Sequence, residues 1–534
     1  MKSDSSDDLK TSEFILRKLL IITLGFVLLK LVTYHFQVIG NFFPNEYRES
    51  AILLVTDLLV KGGNPYDLIN QPQYTSVYGI FYHIIVVPFA KLFGTNFPVH
   101  RSISAAFIFA SCFVLFAAMR WRKISLVFAL SATLLLYSHL LYFTTPLAKP
   151  DSLGFFLFLS SLLIPWRYQY SRSSLLSSTI LGVLGFLTKP YFILSLLYLN
   201  LYLFIFKSKK KGIEQGLLSL LVLVLAILIV NESFETYFNN IILINLFIAG
   251  HDFVYAIKQL YAYIQINYGI ILIFFVYIFT DTNIDLLKHP ITNIKSLKRI
   301  KVNFGDIKKP LINLNIDLIE FCLIVSLLIF LSVLGQHWGS WLVYINHLIS
   351  PFLIFLTFDL LNKKLRDKKV TLINLIAILL ILLNLLSVSS SQVLPQLDYG
   401  LKDWNNLRGL LSRHQHIFNS PAIASILIEQ GKKVHDSGQS QYFVLSTQRP
   451  AFWDIIVRPK RREIQMRYQQ FIQEITNSVK LKKYDLIVLT KGYSPFISEK
   501  LLKRYYQYKK TLNAPMSVKT KQSWKLDIWK PKAR

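Results

Sequence analysis

Apolar runs long enough to cross a bilayer recur along most of this 534-residue chain. A bilayer core takes about 20 apolar residues per helix, and soluble proteins do not carry such runs in succession. Hydrophobic residues make up 53% of the chain, which exceeds the usual share in soluble proteins. The sequence therefore predicts a mainly α-helical, polytopic membrane protein. The runs fall near residues 14–38, 78–93, 102–119, 124–145, 152–166, 174–188, 190–206, 213–231, 266–280, 316–334, 341–361 and 371–389.

The basic residues predict how these runs cross the membrane, because Lys and Arg in short loops gather on the cytoplasmic side. If every run crossed, the basic clusters 120–123 and 207–211 would lie outside. If the short, aromatic run 78–93 only rests in the interface, every basic cluster moves inside. We therefore expect about eleven spans plus interfacial helices in the cell (inner) membrane, with a cytoplasmic N-terminus. This topology places Glu46 and Asp151 on the same, extracytoplasmic face.

The composition changes after residue 390. Residues 391–534 are polar and basic, and they contribute more than half of the formal net charge of +29. The stretch SPAIASILIEQGKKVH predicts a helix and a turn, and KKYDLIVLT predicts a buried strand. We expect residues 1–390 to form a transmembrane domain and residues 391–534 a small, soluble, extracytoplasmic α/β domain. Its basic surface suits an anionic leaflet or phosphate-bearing lipids, and we expect no nucleic-acid partner.

The segment 44–60 carries acids although it borders the first apolar run. Glu46 and Glu49 lie three positions apart on one face of a predicted amphipathic helix, and Gly62-Gly63-Asn64-Pro65 predicts the turn that ends it. We expect this helix to lie on the membrane surface. Its acids either face water or take part in chemistry, and the pattern alone leaves both interpretations open.

Five further positions carry polar side chains at predicted span ends. Asp151 opens a span, where it either caps the helix N-terminus or has a function. Lys149 and Lys189 lie at outer ends of spans, where they either snorkel to the interface or offer cations to a phosphate headgroup. His337 and His347 follow in an outer loop and the next helix, where polar residues also bridge helices.

Together these motifs resemble the GT-C glycosyltransferases, integral membrane enzymes that use polyprenyl-phosphate sugars. The resemblance rests on an external acid after the first helix, the turn GGNPY, the segment YGIFYHIIVVPFAKLFG, the stretch AKPDSLGFF and a closing outer domain. In particular, the chain is similar to the bacterial relatives of protein mannosyltransferases and lipid A aminoarabinose transferases. The resemblance covers the first two hundred residues well and the later helices loosely.

The resemblance implies a GT-C-like catalytic domain over residues 1–390. It would move a sugar, with inversion, from a polyprenyl-phosphate donor to a hydroxyl of a glycan, lipid or protein acceptor in the cell envelope. Glu46, with a pKa raised by partial burial, is expected to act as general base, and Asp151 to orient the acceptor or the base. Cationic side chains are expected to stabilise the departing phosphate. The expected substrate-binding residues are Lys149, Lys189, Tyr66, His337 and His347.

Members of the family often carry two adjacent acids in the first outer loop, where this chain has Asn45-Glu46. No cofactor is therefore certain, although a divalent metal stays open. The alternative function is a polytopic lipid or polysaccharide transporter or flippase, which should show charged residues at mid-span and paired halves. A polysaccharide polymerase or ligase would carry large outer loops rich in arginine. The sequence shows neither pattern, and its ionisable residues gather at one predicted face.

Overall fold

The computed structural model describes residues 4–46, 48–140, 146–248, 250–280, 316–339, 341–366, 372–392, 400–455, 457–490, 494–517 and 522–533. The first helices are α1 (Asp4–Gly40), α2 (Glu49–Val60), α3 (Ile80–Phe93), α4 (Phe97–Trp121), α5 (Leu126–Leu140), α6 (Asp151–Arg167), α7 (Arg172–Thr188), α8 (Leu194–Tyr202), α9 (Lys209–Ser233), α10 (Ile244–Phe247), α11 (Phe253–Ile266) and α12 (Tyr268–Thr280). The later helices are α13 (Leu318–Ser332), α14 (Ser350–Arg366), α15 (Leu372–Gln392), α16 (Leu401–Ser412), α17 (Ala424–Glu429), α18 (Arg461–Lys480) and α19 (Glu499–Tyr505). The strands are β1 (Ile417–Phe418), β2 (Leu486–Thr490), β3 (Tyr506–Ser517) and β4 (Gln522–Pro531). The fold is mainly α-helical, as predicted.

Several helices have the length and composition of membrane spans. Within the described ranges, five helical stretches are long and apolar enough to cross a membrane, or six if α11 and α12, which meet at 88°, form one bent span. The five are Phe97–Trp121, Pro190–Lys207, Lys209–Ser233, Ile345–Leu365 and Leu372–Ser389. Large apolar side chains on α9, such as Leu217 and Ile229, are more than half exposed, which is typical of a surface that faces lipid. The chain is a multi-pass membrane protein, and the count of eleven spans stays a prediction.

The run 78–93 forms the short helix α3. Its 14 residues cover about 21 Å at 1.5 Å per residue, whereas a bilayer core is about 30 Å thick. Its first turn is docked against the end of α7, where the Gly79 N–H donates to the carbonyl of Thr188 at 3.1 Å. A Cβ at Gly79 would lie 1.9 Å from the carbonyl oxygen of Leu187, so only glycine allows this approach. The length of α3 is therefore that of an interfacial helix.

The expectation of an amphipathic surface helix over 44–60 is wrong. The helix α2 begins at Glu49 rather than at Pro44, and its residues 49–56 are all buried. It packs against α3 on one side and against α17 on another, so Glu49 is not free to face water. The Gly62-Gly63 turn does end the helix, with Gly62 at φ +80°.

The residues from Gly400 onward, here called the C-terminal unit, carry the sheet. Its strand order is β1-β2-β4-β3, with β1 parallel to β2 and the other neighbours antiparallel. Alternate side chains of β2 enter two apolar layers, as expected of a strand covered on both faces. One layer is supplied by Phe471, Ile475 and Val479 of α18, which repeat at helical spacing. The predicted strand in KKYDLIVLT and helix in SPAIASILIEQ are confirmed.

The C-terminal unit is docked on the loop between α2 and α3. Arg467 Nε donates to the carbonyl of Gln71 at 2.7 Å, and the backbone N–H of Val77 donates to Gln439 Oε1 at 2.9 Å. An ion pair of 3.0 Å joins Arg458 to Glu232 at the end of α9. These bonds place a loop of the C-terminal unit beside the start of α3.

Candidate active site

A fully buried ion pair between Glu49 and Arg101 organises the candidate site. Arg101 Nε and Nη2 donate to the two carboxylate oxygens at 2.9 and 2.7 Å, and the guanidinium also donates to three backbone carbonyls within residues 38–43. Glu49 accepts further bonds from the backbone N–H groups of Asn45 and Ala148, at 2.8 and 2.7 Å. The pair therefore ties the loop after α1 to the loop before α6, although these loops lie far apart in sequence.

Glu46 lies between two cations on this framework. Arg48 Nε donates to its Oε1 at 2.6 Å, and Lys149 Nζ lies 3.8 Å from its Oε2. Burial of Glu46 opposes its ionisation, but the charges of Arg48 and Lys149 outweigh burial and hold its pKa below the usual value. The expectation of a raised pKa for Glu46 is therefore wrong. The sequence indicates that Glu46 is buried, but it does not show that Lys149 comes close to its carboxylate.

Asp151 is the first residue of α6 and is almost fully buried. Lys189 Nζ donates to its Oδ1 at 2.8 Å. Its other oxygen, Oδ2, is buried and has no hydrogen-bond partner among the residues that the structure describes. The side chain makes no bond to the first turn of α6 within those residues, so capping does not explain it. Asp151 therefore keeps one buried carboxylate oxygen whose hydrogen-bonding capacity is unused within the described residues.

Lys189 comes to Asp151 from the end of α7. Its ammonium lies 5.6 Å from the ring centre of Tyr78 and 5.3 Å from that of Tyr191, in cation–π contact with both. The side chain is 19% exposed, so it is neither a snorkelling lysine nor a wholly enclosed one. It is held in place by two rings and a carboxylate, with its polar head beside a cavity.

The cavity has a volume of about 240 Å³ and receives Arg48, Lys149, Asp151 and Lys189. Glu46 is absent from its lining and contacts two side chains that do line it. The three cations and the two carboxylates sum to one positive charge. The structure thus brings Glu46, Lys149, Asp151 and Lys189 into one cluster, which suits an anionic ligand better than a neutral one.

The predicted substrate residue Tyr66 lies outside this cavity. Its ring is fully buried and makes edge contacts with Phe234 and Tyr237, with centroid distances of 5.4 and 5.2 Å. Its hydroxyl donates to the carbonyl of Tyr78 at 3.2 Å. Tyr66 therefore fixes the turn after α2 by packing its ring in the core, and its hydroxyl stabilises the segment that leads into α3.

The two predicted histidines differ in position. His337 lines the cavity, and burial together with neighbouring His251 lowers its pKa, which leaves the ring neutral at pH 7. His347 is fully buried beneath the cavity lining, stacked 5.2 Å from Phe155, with its Nδ1 bonded to the hydroxyl of Tyr191 at 2.7 Å. His337 can meet a ligand directly, whereas His347 lies outside the cavity lining.

Sequence reasoning missed three basic or aromatic residues of the site. Arg48 is one of the three cations of the cavity, and Arg101 holds Glu49 in the framework beneath it. A signal for Arg48 existed because it lies two positions after Glu46. Arg101 opens an apolar run, where a buried cation is rare unless it is paired. Tyr442 of the C-terminal unit also lines the cavity, and nothing in the chain order points to it.

The carboxylates of the cluster do not fit a divalent metal. Glu46 and Asp151 each already face a cation, and a metal ion bound there would be repelled by Arg48, Lys149 and Lys189. In the part of the chain that the structure describes, no group of three or more His, Cys, Asp and Glu side chains is placed to hold a metal ion. We therefore derive no chemical step through a metal.

The overall architecture matches solved structures of ArnT from Cupriavidus metallidurans. The alignment with the apo structure covers 95% of this chain and 97% of the ArnT chain, with 11% sequence identity and a TM-score of 0.54. The chain has an ArnT-like fold. The alignment with ArnT bound to undecaprenyl phosphate covers 94% of this chain and 97% of the ArnT chain, with 11% sequence identity and a TM-score of 0.53. The predicted likeness to lipid A aminoarabinose transferases is confirmed as an ArnT-like fold, and at 11% sequence identity it concerns the fold alone. No protein-family model and no curated protein sequence matches the chain.

Proposed function

We propose that this protein is a membrane glycosyltransferase that moves a sugar from a polyprenyl-phosphate donor to an acceptor hydroxyl, with inversion, in the cavity beside Asp151. The observation that carries the proposal is the cluster of Arg48, Lys149 and Lys189 around one partly unpaired carboxylate. The ArnT-like fold, and the binding of undecaprenyl phosphate by ArnT, support the choice of donor.

The charge of the cluster suits a monophosphate donor. A sugar linked to a lipid through one phosphodiester carries a single negative charge, which the net positive charge of the cluster balances. When the bond between the anomeric carbon and the phosphate oxygen breaks, the electron pair stays on the phosphate and its charge grows. Lys149 and Lys189 would then stabilise the leaving phosphate, since preorganised cations act most strongly on charge that develops during the reaction.

We assign the general base to Asp151 rather than to Glu46. The acceptor oxygen attacks the anomeric carbon and loses its proton, which the unpaired Oδ2 of Asp151 can accept. Glu46 has both oxygens directed at cations, so neither oxygen is left for a proton from the acceptor. Its role is to position Arg48 and Lys149. The products are a glycosylated acceptor and a polyprenyl phosphate.

The proposal extends to the location of the reaction. With the expected cytoplasmic N-terminus, the cavity and the C-terminal unit lie on the extracytoplasmic face of the inner membrane. A cavity of about 240 Å³ is smaller than the ~300–1,000 Å³ typical of sites that enclose a whole ligand. It would hold only the sugar-phosphate headgroup, with the polyprenyl chain left in the bilayer and a glycan, lipid or protein acceptor arriving from outside.

The test uses Asp151→Asn and Glu46→Gln in the full-length protein. Membrane vesicles that contain the acceptor receive a polyprenyl-phosphate sugar with a radiolabelled sugar, and release of the label from the lipid is measured. Loss of a general base should lower kcat by about 10²–10⁴-fold, so Asp151→Asn should fall in that range with KM for the donor little changed. Glu46→Gln should lower activity less and raise the donor KM, because it loosens Arg48 and Lys149.

Asp57→Asn is the matched control, since Asp57 lies on α2 and pairs with the exposed Lys61 away from the cavity. Its activity should equal that of the wild type. Full turnover by Asp151→Asn would refute the assignment of the base. A wild-type protein that moves the labelled lipid between leaflets, and leaves its sugar attached, would refute the enzyme and support the flippase.

A further inference from the structure

Part of the cavity wall is uncharged and aromatic. Trp338, in the loop between α13 and the helical segment that begins at Ile345, lines the cavity and is 61% exposed. It is followed by Gly339 at φ +85°, which lets the loop turn directly behind the indole. Tyr344 and Asn245 also belong to this wall. A large exposed indole at a cavity is a surface that a ligand can cover.

The C-terminal unit supplies the rest of this wall. Gly438, Gln439 and Tyr442 line the cavity, and Tyr442 is only half-buried. The loop is held firmly, because Gln439 Oε1 accepts the backbone N–H of Val77 at 2.9 Å and the Tyr442 N–H donates to the carbonyl of Gln439 at 2.9 Å. Gly438 adopts φ +86°, which permits the sharp entry to this turn. Tyr442 is therefore presented to the cavity by an anchored turn.

We infer that Trp338 and Tyr442 bind the sugar ring of the donor, so that the C-terminal unit takes part in choosing the sugar. The inference rests on the proposed function and names a specificity-determining pair within the same cavity. A pyranose or furanose ring presents apolar C–H faces and a rim of hydroxyls. An indole face matches the C–H groups, while the hydroxyl of Tyr442 matches the rim.

The other parts of the donor fit this wall poorly. A phosphate needs cations, and those are Arg48, Lys149 and Lys189. A polyprenyl chain needs a continuous apolar surface, whereas polar groups interrupt the aliphatic part of this wall, which Ile248 and Val343 supply. The cavity therefore has one set of residues for each part of a sugar phosphate.

The test compares lipids with and without sugar. Purified full-length protein in nanodiscs is titrated with undecaprenyl phosphate and with undecaprenyl phosphate that carries glucose, mannose, galactose or arabinose. We expect the wild type to bind at least one sugar-carrying lipid more tightly than the bare lipid. Trp338→Ala should reduce the affinity for that lipid about tenfold, which equals ~1.4 kcal/mol, and leave the affinity for undecaprenyl phosphate unchanged.

Further variants separate the parts of the inference. Tyr442→Phe should weaken the sugar-carrying lipid about two- to tenfold through loss of one hydrogen bond, and Trp338→Phe should restore most of the binding lost in Trp338→Ala. Lys189→Met should weaken both kinds of lipid. Trp121→Ala is the matched control, since Trp121 is 41% exposed at the far end of α4, about 30 Å along that helix from Arg101.

The outcomes distinguish the two proposals. If the wild type does not bind undecaprenyl phosphate, the proposed function fails and the sugar site fails with it. If it binds undecaprenyl phosphate but prefers no sugar-carrying lipid, only the sugar site fails. The inference is also overturned if Trp338→Ala weakens the bare lipid as much as the loaded one, because Trp338 then contacts the lipid or merely supports the fold.

Discussion

Replacing Glu49 by glutamine leaves the Arg101 guanidinium without a counter-charge in a place where neither side chain has any exposed surface. The glutamine keeps the shape and one acceptor oxygen, so the change isolates the charge. Removal of one partner from a buried ion pair costs about 3–5 kcal/mol. The pair of Asp57 and Lys61 at the end of the same helix, at 2.5 Å and with Lys61 60% exposed, should contribute only about 0–1 kcal/mol. We therefore expect Glu49→Gln to destabilise the protein severely and Asp57→Asn hardly at all.

The assay is thermal and denaturant unfolding in nanodiscs, followed by tryptophan fluorescence, for Glu49→Gln, Arg101→Met, the double variant and Asp57→Asn. The double variant should be more stable than the sum of the two single effects predicts, because it leaves no unpaired buried charge. Glu49→Gln should also lower transferase activity at temperatures where the protein is folded, since the pair aligns the loops that carry Glu46 and Lys149. Equal melting of Glu49→Gln and Asp57→Asn would refute the reasoning.

Three further changes have defined outcomes. Gly79→Ala places a Cβ 1.9 Å from the Leu187 carbonyl oxygen and should destabilise the protein by about 1–3 kcal/mol. Gly216→Ala is the control and should not destabilise it, because the added Cβ has no heavy atom within 4 Å. Melting curves of the two variants test this difference. Tyr66→Phe loses one buried hydrogen bond and should lower stability by about 0.5–1.5 kcal/mol with an unchanged KM for the donor, and a large KM effect would show that the ring contacts substrate. Burial raises the pKa of Asp436 from 3.8 to about 7. The unfolded chain therefore loses this proton at lower pH than the folded protein, and the stability of the fold decreases as the pH rises between these two values. Asp436→Asn should reduce the difference in melting temperature between pH 5 and pH 8, and an unchanged difference would contradict the raised pKa.

Hydropathy and periodicity were sufficient for the helical architecture and for the α/β character of the C-terminal unit. A membrane span requires a long run of apolar residues, and a buried strand such as β2 requires a short run. Both are therefore visible as local patterns in the sequence. The same local logic failed for segment 44–60, where an amphipathic pattern indicated a surface. Glu49 is covered because Arg101, 52 positions away, neutralises it, and such a distant partner leaves no periodic signal.

The candidate site shows the same limit. The positions of Glu46, Lys149, Asp151 and Lys189 beside predicted span ends singled them out, and these residues do come together. The protonation states of these side chains depend on which cation lies beside which carboxylate, and differences of a few ångströms in these distances decide them. The pKa of Glu46 was expected to rise because its burial could be foreseen, while its contact with Lys149 depends on tertiary structure. The contribution of Tyr442 could not be foreseen either, because it lies on a separate part of the chain.

The docking of the Tyr442 turn beside Val77 has a consequence for biosynthesis. Arg48 and Tyr442 are separated by roughly 400 positions, so at a translation rate of about 5–20 residues per second the ribosome needs about 20–80 s to make the second after the first. During that interval the nascent polypeptide holds an open, incomplete pocket. Prematurely terminated products would thus lack one wall of the cavity.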